Sequence, residues 1–168
     1  MNEVTVFVGL GANLGDAMNT LRLAWQDILD LPGVEAGVCS SFYRSRPMDE
    51  RDGPDYCNAV VAIEYTQDAA TLLAQLQQLE SKYGRQRTED QWASRTLDLD
   101  ILLFGDEVID TADLIVPHYD MHNRDFVLIP LLEIAPYIEI PGEGDAQALT
   151  TALNSKLEVW MMPETRKG

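Results

Sequence analysis

Cysteine is nearly missing from this chain: Cys39 and Cys57 are the only two among 168 residues. Each lies in a β-like run without C-x-x-C or Cys/His spacing, which argues against a disulfide framework or a thiolate metal centre and for buried, reduced thiols. Positive charge is scarce too. Twelve Lys and Arg stand against 28 Asp and Glu, a net charge of −16, with a pI near 4.2. Such a surface repels nucleic-acid backbones and anionic lipid, so neither is expected as a partner. No apolar run approaches the ~20 residues of a membrane span. Met1-Asn2-Glu3-Val4 offers no basic n-region or h-region of a signal peptide. A cytoplasmic location is expected. No linker, repeat or low-complexity tract interrupts the sequence. We therefore read residues 1–168 as one domain, long enough for a real core.

The few cations are concentrated. Of nine arginines, Arg44, Arg46, Arg51, Arg85, Arg87, Arg95 and Arg124 fall in the middle of the chain. A local arginine concentration in an acidic protein suggests a small anionic ligand, and the planar guanidinium suits phosphate. The plainer alternative is scattered surface partners for the many acids.

The chain turns on Arg95-Thr96-Leu97-Asp98-Leu99-Asp100-Ile101-Leu102-Leu103-Phe104. Alternation followed by an apolar run reads as a strand entering a core. Asp98 and Asp100 are two apart and share a face, with Cα atoms roughly 6.5 to 7 Å apart. Two carboxylates that close repel unless something positive lies between them, and a pair of hard cations about 3.5 to 4 Å apart fits the gap. The bland alternative is a strand edge with two solvated acids.

Other elements follow in order. Val4–Gly9 is a short strand. Gly9-Leu10-Gly11-Ala12-Asn13-Leu14-Gly15-Asp16 is neither the G-x-G-x-x-G of a dinucleotide fold nor a P-loop, which needs G-K-[ST]. It reads as a tight turn, with Asn13 or Asp16 capping a helix that runs to Leu31. Met18, Leu21, Trp25 and Ile28 form that helix's buried face, and Pro32-Gly33 stops it. Val34–Tyr43 reads as a strand, Arg44–Pro54 as a mobile loop, and Tyr56–Tyr65 as a second strand antiparallel to the first. Asp68–Tyr83 is a helix burying Leu72, Leu76, Leu79 and Tyr83. Gln77 and Glu80 share another face of it and could both reach one ligand. Arg85–Ser94 is a second polar loop, whose Trp92 is a partner contact or a lid. A turn at Gly105-Asp106 and a short irregular piece at Val116–Met121 come next. Asn123–Ala135 and Ala146–Leu153 are helical, with a loop at Pro141–Asp145. The β-α-β-β-α-β order predicts an α+β, ferredoxin-like antiparallel sheet with helices packed on it.

Five motifs occur in order: Gly11-Ala12-Asn13-Leu14-Gly15, Ser41-Phe42-Tyr43-Arg44, Pro54-Asp55-Tyr56-Cys57-Asn58-Ala59, Arg95-Thr96-Leu97-Asp98-Leu99-Asp100-Ile101 and Pro117-His118-Tyr119-Asp120-Met121. Together they resemble the 6-hydroxymethyl-7,8-dihydropterin pyrophosphokinases of folate biosynthesis. The resemblance implies transfer of the β,γ-pyrophosphoryl group of ATP to the pterin hydroxymethyl, with two Mg²⁺ held by Asp98 and Asp100. It implies that Arg85 and Arg95 clamp phosphates, and that Gln77, Glu80, Arg87, Ile101, His118, Tyr119 and Arg124 line the nucleotide site. It implies that Tyr56 and Phe126 sandwich the pterin, that Asn58 bonds its edge, that Ser45, Pro47 and Met48 border it, and that Trp92 belongs to a lid. The chemistry suits these side chains: a flat heteroaromatic stacks between rings, and an amide offers both donor and acceptor to a pyrimidine edge. A monomer is expected.

Single residues have plainer alternatives. Tyr56 and Phe126 read alone as core, His118 as a turn cap and Glu80 as a solvated helix acid. Ala12, Arg46 and Asp125 depart from the family pattern, and the charged Asp49–Asp52 is unusual for it. Two rival functions remain: a ferredoxin-like module that binds a nucleotide or pterin without chemistry, and an ordinary kinase that releases ADP.

Overall fold

In the structure, a computed structural model that describes residues 3–12, 16–45, 56–83, 97–118, 121, 124–153 and 158–159, the central strand is β1 (Val4–Ala12). It lies antiparallel between β4 (Tyr56–Tyr65) and β5 (Asp98–Phe104). On its other side β4 pairs with β2 (Val34–Cys39) and β3 (Tyr43–Ser45), and β10 (Glu158–Val159) pairs with β3. Helices α1 (Ala17–Leu29) and α2 (Ala69–Lys82) make the two long connections. Treating β2 and β3 as one interrupted strand, the spatial order is β2/β3–β4–β1–β5, the expected ferredoxin-like plan. Beyond it come the hairpin β6 (Ile109–Asp110) and β7 (Ile115–Val116), α3 (Asp125–Ile134), the hairpin β8 (Glu139–Ile140) and β9 (Gly144–Asp145), and α4 (Ala146–Leu153).

Strand alternation divides the core in two. Val6, Val8 and Leu10 of β1, Cys57, Ala59, Val61, Ile63 and Tyr65 of β4, and Leu99 and Ile101 of β5 pack with Leu21 and Ile28 of α1 and Leu72, Leu76 and Leu79 of α2. The opposite face buries Phe7, Val60, Leu102 and Leu103 with Val127, Leu128 and Leu131 of α3 and Ala146 of α4. A bulge in the β1–β5 register, where Phe7 faces Leu103 and Val8 faces Ile101, turns both Leu102 and Leu103 to that second face. Each fully buried Leu or Ile here is worth about 2 kcal/mol of apolar transfer.

Several local expectations are corrected. Gly9–Ala12 is not a turn but the end of β1, with Gly9–Gly11 paired on both sides and Ala12 paired with β4; of the two proposed caps, Asp16 accepts the Asn19 amide, and Asn13 lies outside the described residues. Val34–Tyr43 is not one strand. The Ser40 amide bonds Val60 O, but the returning Val60 amide is taken by the Ser40 hydroxyl. The Ser41 amide then leaves the sheet for Glu133 of α3, which separates β2 from β3. Arg44 and Ser45 belong to β3 rather than to a loop. In α1, Ala17 and Ala24 are buried with Leu21 and Ile28, whereas Met18 and Trp25 are only partly buried. A Cβ at Gly37 would lie 2.7 Å from the Trp25 ring, so the indole lies over the surface of β2. Pro141–Asp145 includes strand β9. The rest of the Arg44–Pro54 loop, residues 46–54, and the polar loop Arg85–Ser94 lie outside the described residues.

Candidate active site

Cross-strand register builds the site. Gly11 of β1 is opposite Asn58 on β4 and opposite Asp98 on β5; Gly9 is opposite Val60 and Asp100. Partners across a sheet share a face, so Asn58, Gly11, Asp98 and Asp100 all project to the side where Val60, Phe7 and Leu102 meet α3. The apolar cluster on that side stops short of them. Asp98 is half-buried and Asp100 exposed. Neither glycine supplies a side chain of its own there: the Leu102 side chain lies over Gly9, and Asn58 Oδ1 lies over Gly11. Here the glycines serve a close approach within a strand rather than a turn. Asn58 is buried, and Tyr56, two residues back on the same face, is half-buried.

The outer edge of β5 is occupied from two directions. The Leu99 amide donates to Glu80 Oε2 of α2 at 2.8 Å. Farther along, the His118 amide donates to Leu102 O at 3.0 Å, after a cis Val116–Pro117 bond. Glu80 is therefore not a solvated helix acid: it is 6% exposed. Gln77, one turn earlier, is exposed, so the two do not present a common surface. Ile101 is buried in the first core with α1 and α2. It adds no side chain to the face of Asp98 and Asp100, only main chain.

At the β3 end, Tyr43 is opposite Asn58 and Ser45 opposite Tyr56. Glu133 reaches down from α3 to accept the Tyr43 hydroxyl at 2.6 Å, the Ser41 amide at 2.9 Å and the Ser41 hydroxyl at 2.8 Å. Burial, the hydrogen bond to Glu133 and that carboxylate's charge push the Tyr43 phenol well above its ordinary value, so it stays a donor. The clamp fixes α3 over β3 and β4. At the other end of the same helix, Phe126 is partly buried against the second core, and the Arg124 guanidinium sits 5.6 Å from its ring centroid. Both thiols are pushed up to about 12, Cys39 by burial and by Glu133, Cys57 by burial and by Cys39. That leaves them as inert thiols, in line with the sequence.

Of the residues singled out in the sequence, Asn58, Tyr56, Asp98 and Asp100 come together on one face. Glu80 and His118 meet the edge of β5, and Arg124 and Phe126 stand at the start of α3. Pro47, Met48, Arg85, Arg87, Trp92, Arg95 and Tyr119 lie outside the described residues, as does the Ser45 side chain. Sequence reasoning missed Gly9, Gly11 and Glu133. The glycines had a legible signal: Val4–Ala12 alternates through them, and a glycine within a strand pattern marks a close approach. Glu133 had none. Among the described residues, no group of three or more His, Cys, Asp or Glu is placed to hold a metal.

A family model described as 7,8-dihydro-6-hydroxymethylpterin-pyrophosphokinase matches residues 7–136. The chain is 45% identical over 139 residues to the 2-amino-4-hydroxy-6-hydroxymethyldihydropteridine pyrophosphokinase of Haemophilus influenzae, covering 83% of this chain and 86% of that one. It is 40% identical over 136 residues to the protein of the same name from Pseudomonas aeruginosa, covering 81% and 83%. Among solved structures, wild-type Plasmodium falciparum HPPK-DHPS matches with a TM-score of 0.69 at 12% identity. That match covers 90% of this chain and 41% of the larger one, so the chain spans less than half of that protein's length.

Proposed function

Because this chain belongs to the 7,8-dihydro-6-hydroxymethylpterin-pyrophosphokinase family, we infer that it moves the β,γ-pyrophosphoryl group of ATP onto 6-hydroxymethyl-7,8-dihydropterin in folate biosynthesis. The hydroxymethyl oxygen bonds to the β-phosphorus, the bond from that phosphorus to the α–β bridging oxygen breaks, and AMP leaves with the electron pair. One observation carries the assignment to this site: the row Asn58–Gly11–Asp98 across three strands. Strand spacing sets its two ends roughly 10 Å apart. An amide suited to a ring edge thus shares a sheet face with a carboxylate suited to cations that hold phosphate.

The donor set fits Mg²⁺. Two carboxylate side chains, with no third His, Cys, Asp or Glu grouped with them among the described residues, suit a hard cation whose shell water and substrate phosphate complete. Asp98 and Asp100 would hold two such ions, which when bound neutralise phosphate charge and acidify the attacking hydroxyl. The protein's own share is orientation and charge compensation. Tyr56 and Phe126 stack the pterin and Asn58 fixes its rotation, with the main chain at Ser45, Pro47 and Met48 along its border. Arg85, Arg95 and His118 offset charge on the leaving α-phosphate and the moving group. Gln77, Arg87, Tyr119, Arg124 and the main chain of Ile101 border the nucleotide, with Glu80 behind the β5 main chain, and Trp92 covers the bound pair. The same reading takes residues 1–168 as one cytoplasmic, monomeric domain.

The product decides. ATP labelled at the γ-phosphate should pass its label to the pterin, with AMP and pterin diphosphate in equal amounts. ADP with a monophosphorylated pterin would make the protein an ordinary kinase. No pterin-dependent turnover would leave a binding module.

A further inference from the structure

We propose that Glu80 is a positioning residue for the Asp98–Asp100 pair, acting through the Leu99 amide between them; the inference rests on the metal-binding role assigned to that pair.

Glu80 lies on the face of the sheet opposite the two aspartates. Its helix packs Leu72, Leu76 and Leu79 into the first core, the core that also takes the Leu99 side chain. A carboxylate that is only 6% exposed requires hydrogen-bond partners, and one of them is the Leu99 amide at 2.8 Å. Leu99 is opposite Leu10 in the β1–β5 register. In an antiparallel pair the residues alternate between exchanging backbone hydrogen bonds and turning their amides outward. An amide bonded to Glu80 is one turned away from β1. Asp98 and Asp100, opposite Gly11 and Gly9, are then the residues tied to β1.

β5 ends the sheet path. Without Glu80, the outward amide at the mouth of this edge strand would lack this acceptor. Among the described residues, another outer-edge contact is His118 at Leu102, three residues farther in. Leu99 is thus held by its side chain below and by its amide from the side. The peptide planes on either side of Leu99 set the Cα–Cβ directions of Asp98 and Asp100, and any rotation there swings both carboxylates. Groups that orient metal-binding side chains in this way commonly change metal affinity when removed.

Two substitutions separate reach from charge. Glu80→Gln keeps an oxygen at the same reach and loses the charge; Glu80→Asp keeps the charge and falls one methylene short of Leu99. We would titrate Mn²⁺ by electron paramagnetic resonance in the presence of α,β-methylene-ATP. In parallel we would follow exchange of the Leu99 amide, the Mg²⁺ concentration for half-maximal AMP release, and the pterin KM.

Glu80→Asp should weaken Mn²⁺ binding on the order of 10-fold, speed Leu99 exchange, and raise the Mg²⁺ requirement with the pterin KM in place. Glu80→Gln should keep the Leu99 amide protected and Mn²⁺ affinity within a few-fold of wild type, whatever it does to turnover. Glu80→Asp with wild-type Mn²⁺ affinity would overturn the proposal, even if it melts earlier. So would Glu80→Gln impaired in Mn²⁺ binding as much as Glu80→Asp, since the charge would then act on a ligand directly. Failure of the pyrophosphokinase reading is a separate result: it appears in the wild type, as absence of pterin-dependent AMP.

Discussion

Gly11 and Asn58 face each other across β1 and β4, and a Cβ added at Gly11 would lie 3.2 Å from Asn58 Oδ1. That is tighter than ordinary contact, and Asn58 is buried with little room to yield. Gly11→Ala should therefore turn the amide and weaken pterin binding by about 1 kcal/mol, the scale of one hydrogen bond. ATP affinity should change less. Calorimetry with each ligand checks this, and an undisturbed pterin affinity would place the ring elsewhere.

Asp98→Asn and Asp100→Asn should each abolish turnover while the fold survives. Both residues sit outside the two apolar clusters. Removing one of two neighbouring negative charges relieves repulsion in the ligand-free protein, so thermal stability should hold or rise slightly. Near-normal activity of both variants at saturating Mg²⁺ would remove the metal assignment.

Tyr56→Ala and Phe126→Ala test the stacking slot. Loss of one ring from a stacked heteroaromatic costs roughly 1 to 3 kcal/mol by analogy with bases on aromatic side chains. Phe126 is also packed against the second core, so Phe126→Ala should lower the melting temperature as well. Pterin binding should suffer more than ATP binding in both variants. The reverse order would mean that these rings serve the nucleotide.

A pH test concerns the seam between α1 and α2. Asp27 accepts the Tyr83 hydroxyl at 2.5 Å and the Lys82 ammonium at 2.9 Å. Burial alone would raise its carboxyl, but the Tyr83 and Lys82 hydrogen bonds and the Lys82 charge hold it below its ordinary 3.8. A depressed carboxyl stabilises the fold above its unfolded value, and the gain disappears as pH falls through the folded one. Tyr83 is pushed up to about 12, by burial and by Asp27. Its share is complete below its ordinary 10.0 and is lost as pH rises toward 12. Asp27→Ala should cost about 1 kcal/mol at neutral pH. The gap to wild type should close in acid below pH 3.8 and narrow above pH 10. Denaturant melts across that range would show it; a gap independent of pH would exclude the linkage.

Much of this architecture was legible in the sequence because it follows from local periodicity. Alternation along Tyr56–Tyr65 sends Cys57, Ala59, Val61, Ile63 and Tyr65 to the first core and Val60 to the second, with Tyr56 and Asn58 on the side of Val60. The same rule set Asp98 and Asp100 side by side. The 3.6-residue pattern found α2, whose first turn Asp68 caps by accepting the Thr71 amide at 2.9 Å. The family motifs supplied the names of the site residues, many of which no pattern would have separated from core or surface.

Tertiary structure decided the rest, because register and depth depend on partners far along the chain. Only pairing with both β4 and β5 shows that Gly11 stands between Asn58 and Asp98, and that Gly9–Ala12 is strand rather than turn. The break between β2 and β3 depends on Glu133, 92 residues beyond Ser41, taking that amide out of the sheet. Glu80 reads as an ordinary helix acid by composition. Its helix packs on β5, where it is buried and accepts the outward Leu99 amide. Local sequence fixes which side chains share a face; the hydrogen-bond demand of a distant backbone fixes which of them is drawn inside.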